Sequence, residues 1–150
     1  MFSFHFLATT TSLSIITSTF SNSLTTNSPS FNRLARAINN YYYQSIQILV
    51  DQSTFYTITV DSSAFLYAYL YNTIFDSNNP STNLITSAFD TVDNPNLSFS
   101  TNLNTGILYI LVVTTVNTDV TGSFTITVTG RGNVVFTPSI TTTTTTGGFI

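Results

Sequence analysis

The stretch GILYILVVTTVNTDVTGSFTITVTG, residues 106–130, decides the fold class because it contains two β-strand patterns joined by a short polar loop. Residues 107–113 are apolar on both faces, which is typical of a strand buried in the middle of a sheet. In residues 123–129, Phe124, Ile126 and Val128 alternate with Ser and Thr, as expected when only one face is buried. The pair therefore predicts a central strand next to a half-exposed neighbour.

The same strand signals recur along the chain. They occur within residues 18–26 and at 43–50, 55–60, 64–71, 84–85, 97–99 and 133–136. Only residues 31–40 have a composition suited to a turn or two of helix. About eight short, evenly spaced strands predict an all-β fold, an antiparallel β-sandwich of jelly-roll type.

The pattern divides the chain into three segments. We expect an extended N-terminal segment over residues 1–17, a sandwich over 18–136, and a Thr-rich tail or linker over 137–150. The apolar strand faces predict a core made of Ile46, Ile48, Tyr56, Ile58, Leu70, Leu108, Ile110, Val112, Phe124, Ile126 and Val128.

The composition restricts the class of function. Of the 150 residues, 64 are Thr, Ser or Asn, only 6% are charged, and the net charge is −3. The chain has no basic cluster, so it lacks the charge pattern expected of a protein that binds nucleic acid or an anionic membrane. The absence of cysteine excludes disulfides, and the hydroxyl-rich composition favours an extracellular or cell-surface location. Residues 1–20 lack the basic residues of a signal peptide, and no apolar run is long enough to span a bilayer.

Residues for catalysis are scarce. A Ser-His-Asp arrangement would have to use His5, the only histidine, which has no acidic neighbour in the sequence. Glycoside hydrolysis needs two carboxylates with different pKa values, and the six Asp residues mostly lie in turn-like sequence. We therefore expect a protein that is not an enzyme and has no catalytic residues or cofactor.

The sequence also contains candidate residues for calcium binding, sugar binding and glycosylation. Asp76, Asp90 and Asp93 could supply oxygen ligands to calcium, although each also fits a turn. The tyrosines at 41–43 and 67–71 could stack on a sugar or form part of the core. Asn96 begins the one N-glycosylation sequon. The hydroxyls of the C-terminal tail are candidate O-glycosylation sites at Thr141, Thr142, Thr143, Thr144, Thr145 and Thr146.

Three motifs occur in a fixed order: YLYNTIFDSNNPSTNLI at 69–85, LNTGILYILVVTT at 103–115 and TGSFTITVTG at 121–130. In this order they resemble β-sandwich repeats related to bacterial pre-peptidase C-terminal domains, which also occur in tandem in large Thr-rich extracellular proteins. The resemblance covers about residues 18–136. It implies a non-catalytic spacer, adhesive or accessory module, sometimes with an acidic calcium-binding loop. Here that loop has only Asp90 and Asp93, which are not adjacent.

The favoured function is a non-enzymatic extracellular structural module, either self-associating or part of a tandem-repeat surface protein. The alternative is a carbohydrate- or calcium-binding accessory module. Phe2, Phe4 and Phe6 have the i, i+2 spacing of a strand that adds to an exposed sheet edge. We expect residues 1–12 to pair with an adjacent subunit, head to tail, in a filament, unless this segment folds back on its own domain.

Overall fold

The computed structural model describes residues 1–10, 12–33 and 40–139, and these residues form ten β-strands and no helix. The strands are β1 (Ile16–Leu24), β2 (Ser30–Asn32), β3 (Asn40–Val50), β4 (Thr54–Ser62), β5 (Leu66–Asn72), β6 (Leu84–Phe89), β7 (Leu97–Leu103), β8 (Tyr109–Thr115), β9 (Gly122–Gly130) and β10 (Val134–Pro138). The predicted all-β fold is confirmed, with two strands more than the eight expected.

The strands form two antiparallel sheets that pack into a sandwich. One sheet has the order β1-β9-β4-β7, and the other has the order β10-β3-β8-β5-β6, with β2 also paired to β3. Apart from β2 and β10, the first strand pairs with the last and each inner pair nests within it: β1 with β9, β3 with β8, β4 with β7, and β5 with β6. This nesting is the jelly-roll connectivity that the strand spacing predicted.

The main core lies between the two sheets, where side chains from the inner faces interdigitate. Tyr109, Leu111 and Val113 of β8 belong to this core. All seven residues of β8 are buried, as expected for a strand that is apolar on both faces. Ile110 and Val112 are buried as predicted, but they lie on the opposite face of β8, away from the main core.

A second hydrophobic cluster covers the outer face of the six-stranded sheet, and we call it the aromatic cluster. Its buried members are Phe31, Tyr41, Tyr43, Tyr69, Tyr71, Ile110 and Val112, and Tyr67, Phe75, Leu84 and Leu108 pack against it. Leu108 is only half-buried at this outer position, so its predicted place in the main core is wrong.

The first two residues of the segment suited to a short helix lie in a strand. Residues 31 and 32 lie in β2, which pairs with the start of β3. The ring of Phe31 packs edge-on against Tyr43 and Phe75, with ring centroids 5.1 and 5.5 Å away. Burial of this ring against distant aromatic residues outweighs the weak local helix propensity. Residues 34–39 lie outside the described part of the chain.

Candidate interaction surfaces

The N-terminal arm, residues 1–15, leaves the sandwich as an extended segment before β1. Its described residues, all but residue 11, form no strand or helix, and all are exposed. Phe2, Phe4 and Phe6 are 96%, 90% and 98% exposed, and Leu7 is 91% exposed. The described residues of the arm therefore do not fold back onto their own sheets.

One edge of the six-stranded sheet exposes apolar side chains. In the described residues, β6 pairs with β5 and no strand pairs with its other side. Ile85 is 43% exposed and Phe89 is 49% exposed. The ring of Phe89 stacks on that of Tyr67, with centroids 4.9 Å apart and an interplanar angle of 19°. The edge thus combines unpaired backbone groups with an aromatic ring held in a fixed orientation.

The outer face of the four-stranded sheet is covered with hydroxyl groups, and we call it the hydroxyl face. Its exposed or half-exposed side chains are Thr17, Thr19, Ser21, Thr57, Thr59, Ser98, Ser100, Thr125, Thr127 and Thr129. Cross-strand hydroxyl contacts join Thr57 to Ser100 at 2.8 Å and Thr59 to Ser98 at 3.2 Å. A third contact joins Ser21 to Thr125 at 2.9 Å. The exposed carboxylate of Asp61, which is aligned with Thr125, lies on the same face of β4. The face is therefore polar mainly through hydroxyl groups, and six of these ten side chains are paired across strands.

A shallow cavity of about 210 Å³ lies at one end of the hydroxyl face. Its lining residues are Ile15, Phe55, Thr57, Thr129, Gly130 and Arg131. Small-molecule sites usually occupy about 300–1,000 Å³, so this cavity is too small for a ligand larger than a single side chain or a small fragment.

Arg33 occupies a buried position beside the aromatic cluster. Its guanidinium carbon lies 4.4 Å from the ring centroid of Tyr41 and 4.6 Å from that of Tyr67. One guanidinium nitrogen, Nη1, donates a hydrogen bond of 2.9 Å to the carbonyl oxygen of Thr115. Two aromatic faces and a carbonyl can stabilise a partly desolvated cation. The contacts join the residue after β2 to strands β3, β5 and β8.

The three calcium candidates do not come together as one site. Asp76 is exposed in the turn after β5, where its carboxylate accepts a hydrogen bond of 2.9 Å from the backbone N–H of Asn78. Asp93 is exposed in the loop between β6 and β7, whereas Asp90 at the start of that loop is buried. In the described ranges, no three Asp, Glu, His or Cys side chains are grouped as a metal site would require.

Asp90 has an unusual environment for a carboxylate. Its Oδ2 accepts a hydrogen bond of 3.1 Å from the backbone N–H of Leu66, while the buried Oδ1 has no partner among the described residues. Burial raises the pKa of Asp90, and the negative charge of Asp61 raises it further. Asp61 lies in β4 and is therefore an Asp outside the turns.

Most tyrosines considered for sugar stacking are core residues instead. Tyr41, Tyr69 and Tyr71 are 3%, 4% and 0% exposed, which leaves their rings inaccessible to a ligand. Burial raises the pKa of both Tyr69 and Tyr71. The hydroxyl of Tyr71 donates a hydrogen bond of 2.8 Å to the carbonyl oxygen of Pro80, so it anchors the turn over the outer face.

The remaining predicted sites lie on exposed segments or outside the described residues. His5 is exposed in the N-terminal arm, and its Nδ1 lies 3.4 Å from the Oγ of Ser3. Asn96 is exposed in the loop before β7, where an N-linked glycan would extend into solvent. The threonines at 141–146 lie outside the described part of the chain.

Two of these features were not identified from the sequence pattern. Arg33 has no local signal beyond its position next to Tyr-rich strands, because the rings that cover it come from β3 and β5. The free edge of β6 depends on the strand order, although the apolar residues Ile85 and Phe89 in a short strand could have suggested an edge.

No family model matches the sequence, and no curated protein matches it either. The family resemblance of the motifs at 69–85, 103–115 and 121–130 therefore remains a hypothesis.

Proposed function

We propose that the protein is a non-enzymatic extracellular structural module that associates with further copies of itself through its N-terminal arm. The observation that carries this proposal is the exposure of the arm's apolar side chains next to a sandwich whose core closes without them. Contiguous exposed apolar surface is unfavourable in water and commonly marks a surface that binds another protein.

The rest of the surface supports a location outside the cell. The chain has few charged residues, and the polarity of the hydroxyl face comes mainly from Thr and Ser hydroxyls. Asn96 is exposed in a sequon and is accessible to glycosylation. A hydroxyl-rich sandwich with few charged residues suits a spacer or adhesive element.

Two assemblies fit a structural module of this kind, a filament of separate subunits and a tandem array of repeats. Flexible segments that serve only as linkers are usually polar, rich in Gly, Ser or Pro. The arm instead presents Phe2, Phe4 and Phe6 at alternate positions. This spacing favours association by strand addition over a passive linker.

Deletion of residues 1–12 tests the proposal. We expect the full chain to associate with increasing concentration in sedimentation velocity and to form filaments visible by electron microscopy, whereas the shortened chain stays monomeric. Because the arm does not contribute to the core, the melting temperature of the shortened chain should change by less than about 2 °C.

A variant of full length provides the matched control. Phe2→Ser, Phe4→Ser and Phe6→Ser together keep the length of the arm but remove its apolar side chains, and we expect the same loss of association. A full chain that is monomeric at every concentration, or a shortened chain that assembles like the full one, would refute self-association through the arm.

A further inference from the structure

Five strands of the sandwich have an unpaired side among the described residues: β1 and β7 in one sheet, and β6, β10 and the three-residue β2 in the other. At the side of the sandwich that contains β1 and β10, side chains connect the two sheets. The rings of Phe20 and Phe136 stack with centroids 5.6 Å apart, and the N–H of Val134 donates to the Oγ of Ser18 at 3.2 Å. The other side of the sandwich is formed by β6 and β7, and these two strands differ as acceptors of an added strand.

Of these two strands, β6 has the apolar surface. The outward side chains of β7 are Ser98, Ser100 and Asn102, which are all exposed and polar. The side chains of β6 include Ile85 and Phe89, which are 43% and 49% exposed, and Phe89 is aligned with Tyr67 of the outer face. An added strand gains more apolar contact at β6 than at β7.

The backbone of β6 is also available for pairing. The N–H of Asp90 donates to the carbonyl oxygen of Leu66, which fixes the direction of the N–H groups at the end of β6. Because N–H groups of an antiparallel strand alternate in direction, those of Ser87 and Phe89 point away from β5. They point to the side on which no described strand is paired, where an additional strand can accept their hydrogen bonds.

We propose that residues 1–12 of a second copy of this chain bind the free edge of β6 as an additional antiparallel or parallel strand. The inference rests on the proposed self-association and identifies its acceptor. In this arrangement Phe2, Phe4 and Phe6 share the outward face with Ser87 and Phe89, which are aligned with Tyr69 and Tyr67. Cross-strand neighbours lie about 4.5–5.5 Å apart, so an arm phenylalanine extends the stacked row formed by Phe89 and Tyr67 by one ring.

The strand added to β6 comes from a second copy of the chain, because the arm and the free edge of β6 lie at opposite sides of the sandwich. The arm continues from β1, and the order β1-β9-β4-β7 separates β1 from the β6–β7 side by three strand spacings, about 14 Å. In the single chain the described arm residues are all exposed rather than packed across this distance. Each subunit therefore has one donor and one acceptor, which generates a head-to-tail assembly.

The size of the contact is sufficient for a weak or moderate interface. Three phenylalanines bury about 150–250 Å² each, so they contribute roughly 450–750 Å² on the donor alone. Leu7 and the surface covered on β6 bring the total to the order of 1,000 Å², near the lower end for specific interfaces. Edge hydrogen bonds add affinity and fix the orientation.

The acceptor is tested with full-length variants of β6. Ser87→Lys places a charge on the exposed edge, a device that natural sheets use against strand addition, and Ser87→Pro removes the N–H that points to the free side. The control is Ser100→Lys, which places the same charge on an exposed outward position of β7. We expect both Ser87 variants to raise the concentration for half-maximal association at least about tenfold, and Ser100→Lys to leave it within about twofold.

Mixing two defective variants tests the same interface directly. The chain with Phe2→Ser, Phe4→Ser and Phe6→Ser has an intact acceptor, and the Ser87→Lys chain has an intact arm. Each should be monomeric alone, and the mixture should form dimers that do not grow further. Circular dichroism and the melting temperature establish that each variant is folded, and Ser87→Lys, at an exposed position, serves if Ser87→Pro does not fold.

The outcomes distinguish self-association through the arm from the assignment of β6 as the strand that the arm binds. If the arm variant is monomeric while both Ser87 variants associate like the unchanged chain, association through the arm stands and β6 is not its acceptor. If the arm variant associates like the unchanged chain, self-association through the arm is itself wrong. If Ser100→Lys alone abolishes association, the acceptor is β7.

Discussion

The outer face of the four-stranded sheet is built from Thr and Ser hydroxyls, whereas the outer face of the six-stranded sheet is built from tyrosine rings and aliphatic side chains. The inner faces of the two sheets pack against each other in one core. Outer tyrosines are buried because β2 and the turn after β5 cover them, as the contacts of Phe31 and Phe75 with Tyr43 illustrate. A strand that is apolar on both faces thus requires a second covering layer, while a strand with a Thr face requires only water.

The largest expected effect on the free energy of unfolding is at Ile110 of β8, which lies in the aromatic cluster on the outer face of the six-stranded sheet. Ile110→Ala should lower the free energy of unfolding by about 2–5 kcal/mol, because it removes buried methyl groups and leaves a cavity in the aromatic cluster. Denaturant unfolding measures this loss. Ile110→Val, which removes one methylene, should cost about 0.5–1.5 kcal/mol. A loss near zero for Ile110→Ala would contradict a packed outer layer.

Much of the sandwich could be predicted because the alternation of side chains along a strand is a local property. Phe124, Ile126 and Val128 lie in the core as their period-two spacing indicated. The apolar residues on both faces of β8 correctly predicted a central strand with both faces buried.

The details that could not be predicted depend on which segments meet in space. Nothing in the sequence around Leu108 distinguishes the main core from the aromatic cluster, because both faces of the strand are apolar. Residues 31 and 32, the first two of the segment suited to a short helix, lie in β2, because the ring of Phe31 is buried by residues far along the chain. Likewise, the aromatic rings around Arg33 and the open side of β6 follow from strand order, which periodicity does not contain.

A smaller and pH-dependent effect is expected at Asp90, near the end of the sandwich. Its folded-state pKa is raised, mainly by burial, so the folded chain binds this proton more tightly than the unfolded chain. The stabilising contribution is complete below the unfolded pKa of about 3.9 and is lost as the pH rises through the higher folded value. This group therefore makes the protein less stable at neutral pH than under mildly acidic conditions.

Asp90→Asn should remove that pH dependence and stabilise the protein at pH 7 by the order of 1 kcal/mol. The amide oxygen can still accept the hydrogen bond from Leu66, and no buried charge remains. Denaturant unfolding at a series of pH values measures the change, and Asp93→Asn, at an exposed position of the same loop, is the matched control. An unchanged pH dependence in Asp90→Asn would contradict the raised pKa.

The smallest effect is expected at Thr127, which lies on β9 of the hydroxyl face and has Thr19 and Thr59 as its cross-strand neighbours. Thr127→Val keeps the β-branched shape and replaces one hydroxyl by a methyl group. Because no other layer covers this face among the described residues, the free energy of unfolding should change by less than about 0.5 kcal/mol.

The same variant also separates the two outer faces as association surfaces. If subunits associate through the arm and β6, Thr127→Val leaves the sedimentation behaviour unchanged, because Thr127 lies in the other sheet. If subunits instead pack through their hydroxyl faces, a methyl group at the centre of β9 alters the concentration for half-maximal association. A stability change above about 1 kcal/mol would mean that Thr127 has a buried contact, and the hydroxyl face would then be a covered surface like its aromatic counterpart.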